Sequence, residues 1–176
     1  MIDIEPHFFK NMCVASSTLS GKGLFANEFI RKGEIILLFG GSIALQKNRY
    51  TGKYIESTFL SISEECILCE EVTSVKDPSD YINHSCFPNA GMGDCITLVA
   101  ICDIHKGEEI VCDYAFWEGD ENYLMKETCK CGNDNCRHTI TGKDWRLFSE
   151  NDDLFQYFSP FIKRRILNKS HKHIKL

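Results

Sequence analysis

Asn83, His84, Ser85 and Cys86 follow one another directly: an amide, an imidazole, a hydroxyl and a thiol, with the turn-forming pair Pro88-Asn89 just beyond. A hydrolase nucleophile, a metal site and a binding pocket all use such groups. Ser85 lacks the glycine-flanked G-x-S-x-G turn that exposes a serine nucleophile, which counts against the first. Further along, "CKCGNDNC" sets Cys129, Cys131 and Cys136 at C-x-C-x4-C around a polar turn. Closed zinc sites take four ligands and favour thiolates, so this hook lacks one ligand, and Cys86 is a candidate for it. The pair Cys66 and Cys69 sits in an apolar, alternating stretch with no second pair at suitable spacing, and reads as strand and core. Cys13, Cys95, Cys102 and Cys112 also fit strands.

The elements that would position these groups are short. "MCVAS", "GLFANEF", "EIILLF", "TFLSI", "CILCEEV", "CITLVAICDI" and "EEIVCDY" read as closely spaced strands separated by glycine and charged turns such as "RKGE" and "HKGEE". From Trp117 the pattern changes. "EGDENYLMKE" reads as a short helix, the cysteine hook follows, and residues 143–167 have apolar spacing for two short helices broken at Pro160. The expected architecture is a mostly β body, a cysteine hook and a helical C-terminus.

Composition narrows the function classes. The chain has 176 residues, a 43% hydrophobic fraction and ten cysteines, with no signal-peptide layout and no apolar run long enough for a membrane span. Thiols in that setting point to a reducing, intracellular compartment rather than a disulfide scaffold. Six of the 20 basic residues and none of the 25 acidic ones lie in residues 161–176. The acidic body suits a basic peptide partner and is a poor nucleic-acid surface. The basic C-terminal segment is the one place for a weak nucleic-acid contact.

Four elements together resemble the SET-domain protein lysine methyltransferases. "GKGLFA" (21–26), "YINHSCFPN" (81–89), "GEEIVCDYAF" (107–116) and the hook with Arg137 match that family's motifs in order, post-SET cysteines included. The resemblance implies a β-clip SET fold with a knot-like core. It divides the chain into a SET domain at 10–118, a zinc-binding post-SET segment at 119–145 and a helical tail at 146–176. It implies transfer of methyl groups from S-adenosylmethionine to a lysine, first of all on a histone tail, and a nuclear location if chromatin is the substrate. Tyr114 would be catalytic. Lys22, Gly23, Leu24, Tyr81, Asn83, His84 and Ile140 would bind the cofactor, with Trp145 a rival to Ile140. Phe39, Cys112 and Phe116 would line the lysine channel, and Cys86 would join Cys129, Cys131 and Cys136 on one zinc ion.

Two positions depart from the family pattern. Phe39 lacks the hydroxyl of the tyrosine common there, and Cys112 replaces an aromatic two residues before Tyr114. The smaller Cys112 is expected to leave room for di- or trimethyl product. Phe39 leaves open a second reading, a weakly catalytic SET fold that binds a lysine-containing partner. Non-histone lysines fit the sequence equally well.

Overall fold

Apolar runs of four or five residues, each ended by glycine or a charged turn, build strands too short for anything but a β-rich body. In the computed structural model, which describes residues 2–173, the strands are β1 (Asp3–Ile4), β2 (His7–Phe8), β3 (Met12–Ser16), β4 (Lys22–Ala26), β5 (Ile35–Leu38), β6 (Gly41–Leu45), β7 (Leu60–Ser61), β8 (Cys66–Cys69), β9 (Asn83–His84), β10 (Ala90–Met92), β11 (Thr97–Ala100) and β12 (Glu109–Cys112). A helix, α1 (Pro160–His173), ends the described chain. One sheet has the order β1-β6-β8-β7. The other runs β2-β5-β11-β10-β12-β4-β3, with β9 also paired to β12. No helix among the described residues is long and apolar enough to cross a membrane.

The mostly β architecture is the one expected, and the corrections are local. Residues 118–127 form turns instead of a helix. Asp120 Oδ1 accepts from Asn122 N–H at 2.9 Å, and Met125 N–H pairs with Ile140 O at 2.9 Å. Pro160 begins α1 instead of breaking a helix, because the N–H it lacks would have no partner in a first helical turn. Before it lie only the short 3-10 turns Asp144–Leu147 and Phe155–Tyr157. Cys95 and Cys102 sit in turns, outside the strands. Residues 174–176 of the basic segment lie outside the described residues.

The C-terminal helix completes the core. Phe161, Ile162 and Ile166 of α1 are essentially unexposed and belong to the same core as Phe116, Leu24 and Ile110. Ser159 N–H donates to Phe116 O at 2.8 Å, and the Phe116 and Phe158 rings meet edge-on at 4.7 Å. Arg165 anchors the helix outward, on Glu64 and on Gly119 O at 2.9 Å. The segment after β12 is therefore packed firmly from behind.

Candidate active site

The parallel pairing of β9 with β12 decides where the chemistry-bearing residues meet. Asn83 lies opposite Val111 and His84 opposite Cys112, although the two strands are far apart in sequence. Just past β12, Asp113 accepts from Ala115 N–H at 2.9 Å and caps the 3-10 turn Tyr114–Phe116. That turn places Tyr114 against His84. Tyr114 N–H donates to His84 Nδ1 at 3.2 Å, and the two rings lie 5.2 Å apart.

Because Nδ1 accepts, the neutral imidazole carries its proton on Nε2, 3.4 Å from Cys86 Sγ. Burial holds the His84 pKa down to about 4 against the opposing pull of Asp113, so the ring acts as a neutral pin. The Tyr114 hydroxyl donates to Ile82 O at 3.1 Å, and burial raises this phenol well above its ordinary range. It is no base near neutral pH.

Tyr114, Asn83, His84 and Phe39 face one cavity of about 580 Å³. Other parts of its wall come from Leu19 and Ser20, from residues 56–60, and from the stretch 122–130. The amide nitrogen of Asn83 donates to Glu109 Oε1 at 2.7 Å and Lys22 O at 3.0 Å. Ser17 Oγ donates to the other Glu109 oxygen at 2.8 Å. A Cβ on Gly23 would lie 2.1 Å from Glu109 Oε1, so glycine here makes room for that carboxylate.

The remaining expected site residues are placed around this cavity, not in its wall. Lys22 is exposed, with Nζ 6.0 Å from the half-buried Tyr81 ring. Leu24 and Ile140 are fully buried. Cys112 and Phe116 are also fully buried, packed in the core behind Tyr114. Neither of them is among the residues that line the cavity.

The four cysteine sulfurs of positions 86, 129, 131 and 136 lie within 4.8 Å of one another, with Cys86 and Cys129 4.0 Å apart. A tetrahedron with Zn–S bonds of ~2.3 Å has sulfurs roughly 3.8 Å apart, so these four could hold a zinc ion. The backbone N–H groups of Arg137 and His138 point at Cys86 and Cys136 sulfurs, both at 3.4 Å. Such donors suit thiolates. Cys66 and Cys69 take no part, and Cys69 is buried on β8. Among the described residues, the other convergence of possible metal ligands is Glu70, Asp77 and Asp80.

Arg137 ties the hook to the turn that carries Tyr114. Its guanidinium holds both Asp113 oxygens at 2.7 Å, and its Nε lies 2.9 Å from Asp144 Oδ2 as an ion pair without hydrogen-bond alignment. Asp113 is 1% exposed, so this pair is effectively internal.

Sequence reasoning missed the far wall. Arg49, 2% exposed, pairs with Glu118 at 2.8 and 2.5 Å, and its guanidinium stands 4.8 Å from the Phe59 ring centroid and 5.8 Å from that of Tyr123. Trp117 touches both Phe39, at 6.1 Å between centroids, and Tyr114, at 5.4 Å. Trp117 and Glu118 directly follow "CDYAF", which is the one signal that could have pointed to them.

Residues 21–115, more than half of the chain, match the SET domain. The chain belongs to the SET-domain family. It is similar to the human histone-lysine N-methyltransferase 2D, with 31% identity over 140 residues, 72% of this chain but 2% of that protein. A histone-lysine N-methyltransferase specific for H3 lysine 4, from Cryptococcus neoformans, is 31% identical over 73% of the chain and 10% of its own length. ASHH3 of Arabidopsis thaliana is 28% identical over 83% of the chain and 42% of its own length. The chain thus spans less than half of the length of each of these relatives.

Proposed function

We propose that this chain is an S-adenosylmethionine-dependent protein-lysine N-methyltransferase that acts on a basic protein tail, a histone tail first. The observation that carries the proposal is the cavity at the β9–β12 crossing, where Asn83, His84 and Tyr114 share one wall. The names of the SET-domain relatives supply the substrate class. A histone substrate would bring the protein to chromatin.

The cofactor, when bound, supplies an electrophilic methyl group on a sulfonium. Asn83 and His84 would hold it from the cavity wall, with Lys22, Gly23 and Tyr81 beside them and Leu24 and Ile140 supporting from the core. The attacking lysine must be neutral, against an ordinary pKa of ~10.4. Phe39, Trp117 and the Tyr114 ring give that amine a largely apolar path, which disfavours the ammonium form. With its proton committed to Ile82 O, the Tyr114 oxygen can accept weak C–H contacts and fix the line of approach. Zinc on Cys86, Cys129, Cys131 and Cys136 would hold the hook, and through Arg137 the base of Tyr114. We assign 10–118 to the SET domain, 119–145 to the zinc segment and 146–176 to a helical C-terminal tail, whose residues Phe161, Ile162 and Ile166 are buried in the core.

The test is transfer of labelled methyl from S-adenosylmethionine to core histones and to an array of lysine peptides, with cofactor binding followed by calorimetry. Label on a mapped lysine and measurable cofactor binding are expected. A zinc-loaded chain that neither binds cofactor nor labels any acceptor would refute the proposal.

A further inference from the structure

Phe39 removes a hydroxyl from the cavity, and a different residue returns one. Tyr123 lines the same cavity as Tyr114 from the opposite wall, with the two ring centroids 6.5 Å apart and the rings inclined at 65°. The stretch that carries it is pinned on both sides. Gly142 N–H donates to Tyr123 O at 3.0 Å, Tyr123 N–H donates to Asp120 O at 2.9 Å, and Leu124 bridges Thr141. Gly142 is needed for this approach, because a Cβ there would fall 1.7 Å from Asp120 O. On its other side the Tyr123 ring meets the buried Arg49 guanidinium. Main chain and ring are thus both fixed.

The two cavity tyrosines differ in what their hydroxyls do. Tyr114 gives its proton to Ile82 O. The Tyr123 hydroxyl has no hydrogen-bond partner among the described residues and is not sealed in the core. A free, pre-positioned hydroxyl facing a site that must orient an amine has a chemical use. A neutral primary amine aiming its lone pair at the methyl carbon still has two N–H groups to satisfy in a partly apolar cavity, and an unsatisfied one is costly.

We propose that the Tyr123 oxygen accepts an N–H of the acceptor lysine, replacing the hydroxyl lost at Phe39, and so favours amines that still carry N–H over dimethylated lysine. The inference rests on the methyltransferase reading above and names the group that sets substrate state within it. Tyr123 neither gains nor loses a proton. The N–C bond forms as the C–S bond breaks, the thioether leaves neutral, and the product ammonium releases its proton to solvent. Because neutral dimethyl-lysine has no N–H, the benefit of Tyr123 must fall as methyls accumulate. This places the limit on product state at Tyr123, since Cys112 lies outside the cavity wall.

The test compares the wild-type chain with Tyr123→Phe, which keeps the ring and its packing. The probes are matched peptides bearing one lysine, unmodified, monomethylated or dimethylated, chosen from the best acceptor on a histone peptide array. Turnover of the unmodified peptide should fall about tenfold, the scale of one neutral hydrogen bond, with a smaller loss on monomethyl and none on dimethyl. With S-adenosylhomocysteine present, calorimetry should show the wild type preferring unmodified over dimethylated peptide and the variant losing that preference. Cofactor affinity and zinc content should stay unchanged. Phe39→Tyr in the Tyr123→Phe background should restore part of the lost turnover. Equal losses on all three peptides, or no loss on any, would overturn the assignment while leaving the methyltransferase reading intact. A wild-type chain that binds no cofactor and transfers no methyl would remove both.

Discussion

The two walls of the cavity are built in opposite ways. The inner wall, β9, β12 and Tyr114, is held by a backbone ladder with the main core directly behind it. The outer wall, residues 46–60 and 117–130, has no ladder across it. It is joined by side chains: Arg49 to Glu118 inside, Tyr50 to Asp120 at 2.7 Å, and Lys126 to Glu56 at 3.0 Å on the surface. Asn83, His84 and Tyr114 stand on the part fixed by the main chain. The outer part is joined across the cavity by side chains, with the stretch around Tyr123 pinned separately to residues 140–142.

The largest effect should come from the cysteine hook, which touches both walls. Replacing Cys129 with Ser should reduce zinc from one ion per chain to none by elemental analysis, and cut methyl transfer by at least roughly 100-fold. Structural zinc contributes ~10–16 kcal/mol of apparent binding energy in small peptide sites, so its loss should free residues 121–142 to proteolysis. A zinc-free variant with the wild-type cleavage pattern would separate the hook from the outer wall.

Arg49 tests the outer wall alone. Arg49→Ala leaves Glu118 buried and unpaired, which should cost about 3–5 kcal/mol, read as a drop of the thermal midpoint by roughly 6–20 °C. The double change Arg49→Met, Glu118→Leu should recover most of that loss, because neither charge then remains inside. A double variant as unstable as the single one would show that the pair does more than join the wall.

The smallest effect concerns pH at the cavity edge. Asp80 is pushed up to about 7, first by burial and then by Asp77, with Glu70 adding to the rise and Lys76 and the Asp77 backbone opposing it. The folded chain then keeps a proton that the unfolded chain releases near pH 4, so stability falls as pH rises from about 4 to 7 and levels off above. Asp80→Asn should raise the thermal midpoint by a few degrees at pH 8 and leave it unchanged at pH 4. A wild-type midpoint that rises across that window would reverse the sign of the coupling.

What could be read from sequence follows the same division. The strands at Met12–Ser16, Ile35–Leu38 and Cys66–Cys69 announce themselves through short apolar stretches between turns, and the three cysteines of the hook through spacing, with Cys86 left as a candidate for the fourth position. β6 and β10 were hidden because "GSIAL" and "AGM" lean on glycine and small residues whose pairing is set by neighbours. "EGDENYLMKE" has helical composition, but Asx turns and pairing with residues 140–142 override it. Arg49 and Glu118 are 69 residues apart, and nothing local marks either as a buried partner. Contacts that cross the cavity leave no periodic trace.

On the methyltransferase proposal, Tyr114 orients transfer in a cavity whose inner wall is fixed independently of its hydroxyl. Tyr114→Phe, assayed with labelled S-adenosylmethionine on the best acceptor peptide, tests it most directly. Transfer should fall by at least roughly 100-fold, about 2.7 kcal/mol of transition-state stabilisation, while cofactor affinity by calorimetry and the thermal midpoint change little. A variant that keeps the wild-type rate, or loses rate only in proportion to lost cofactor binding, would contradict the account.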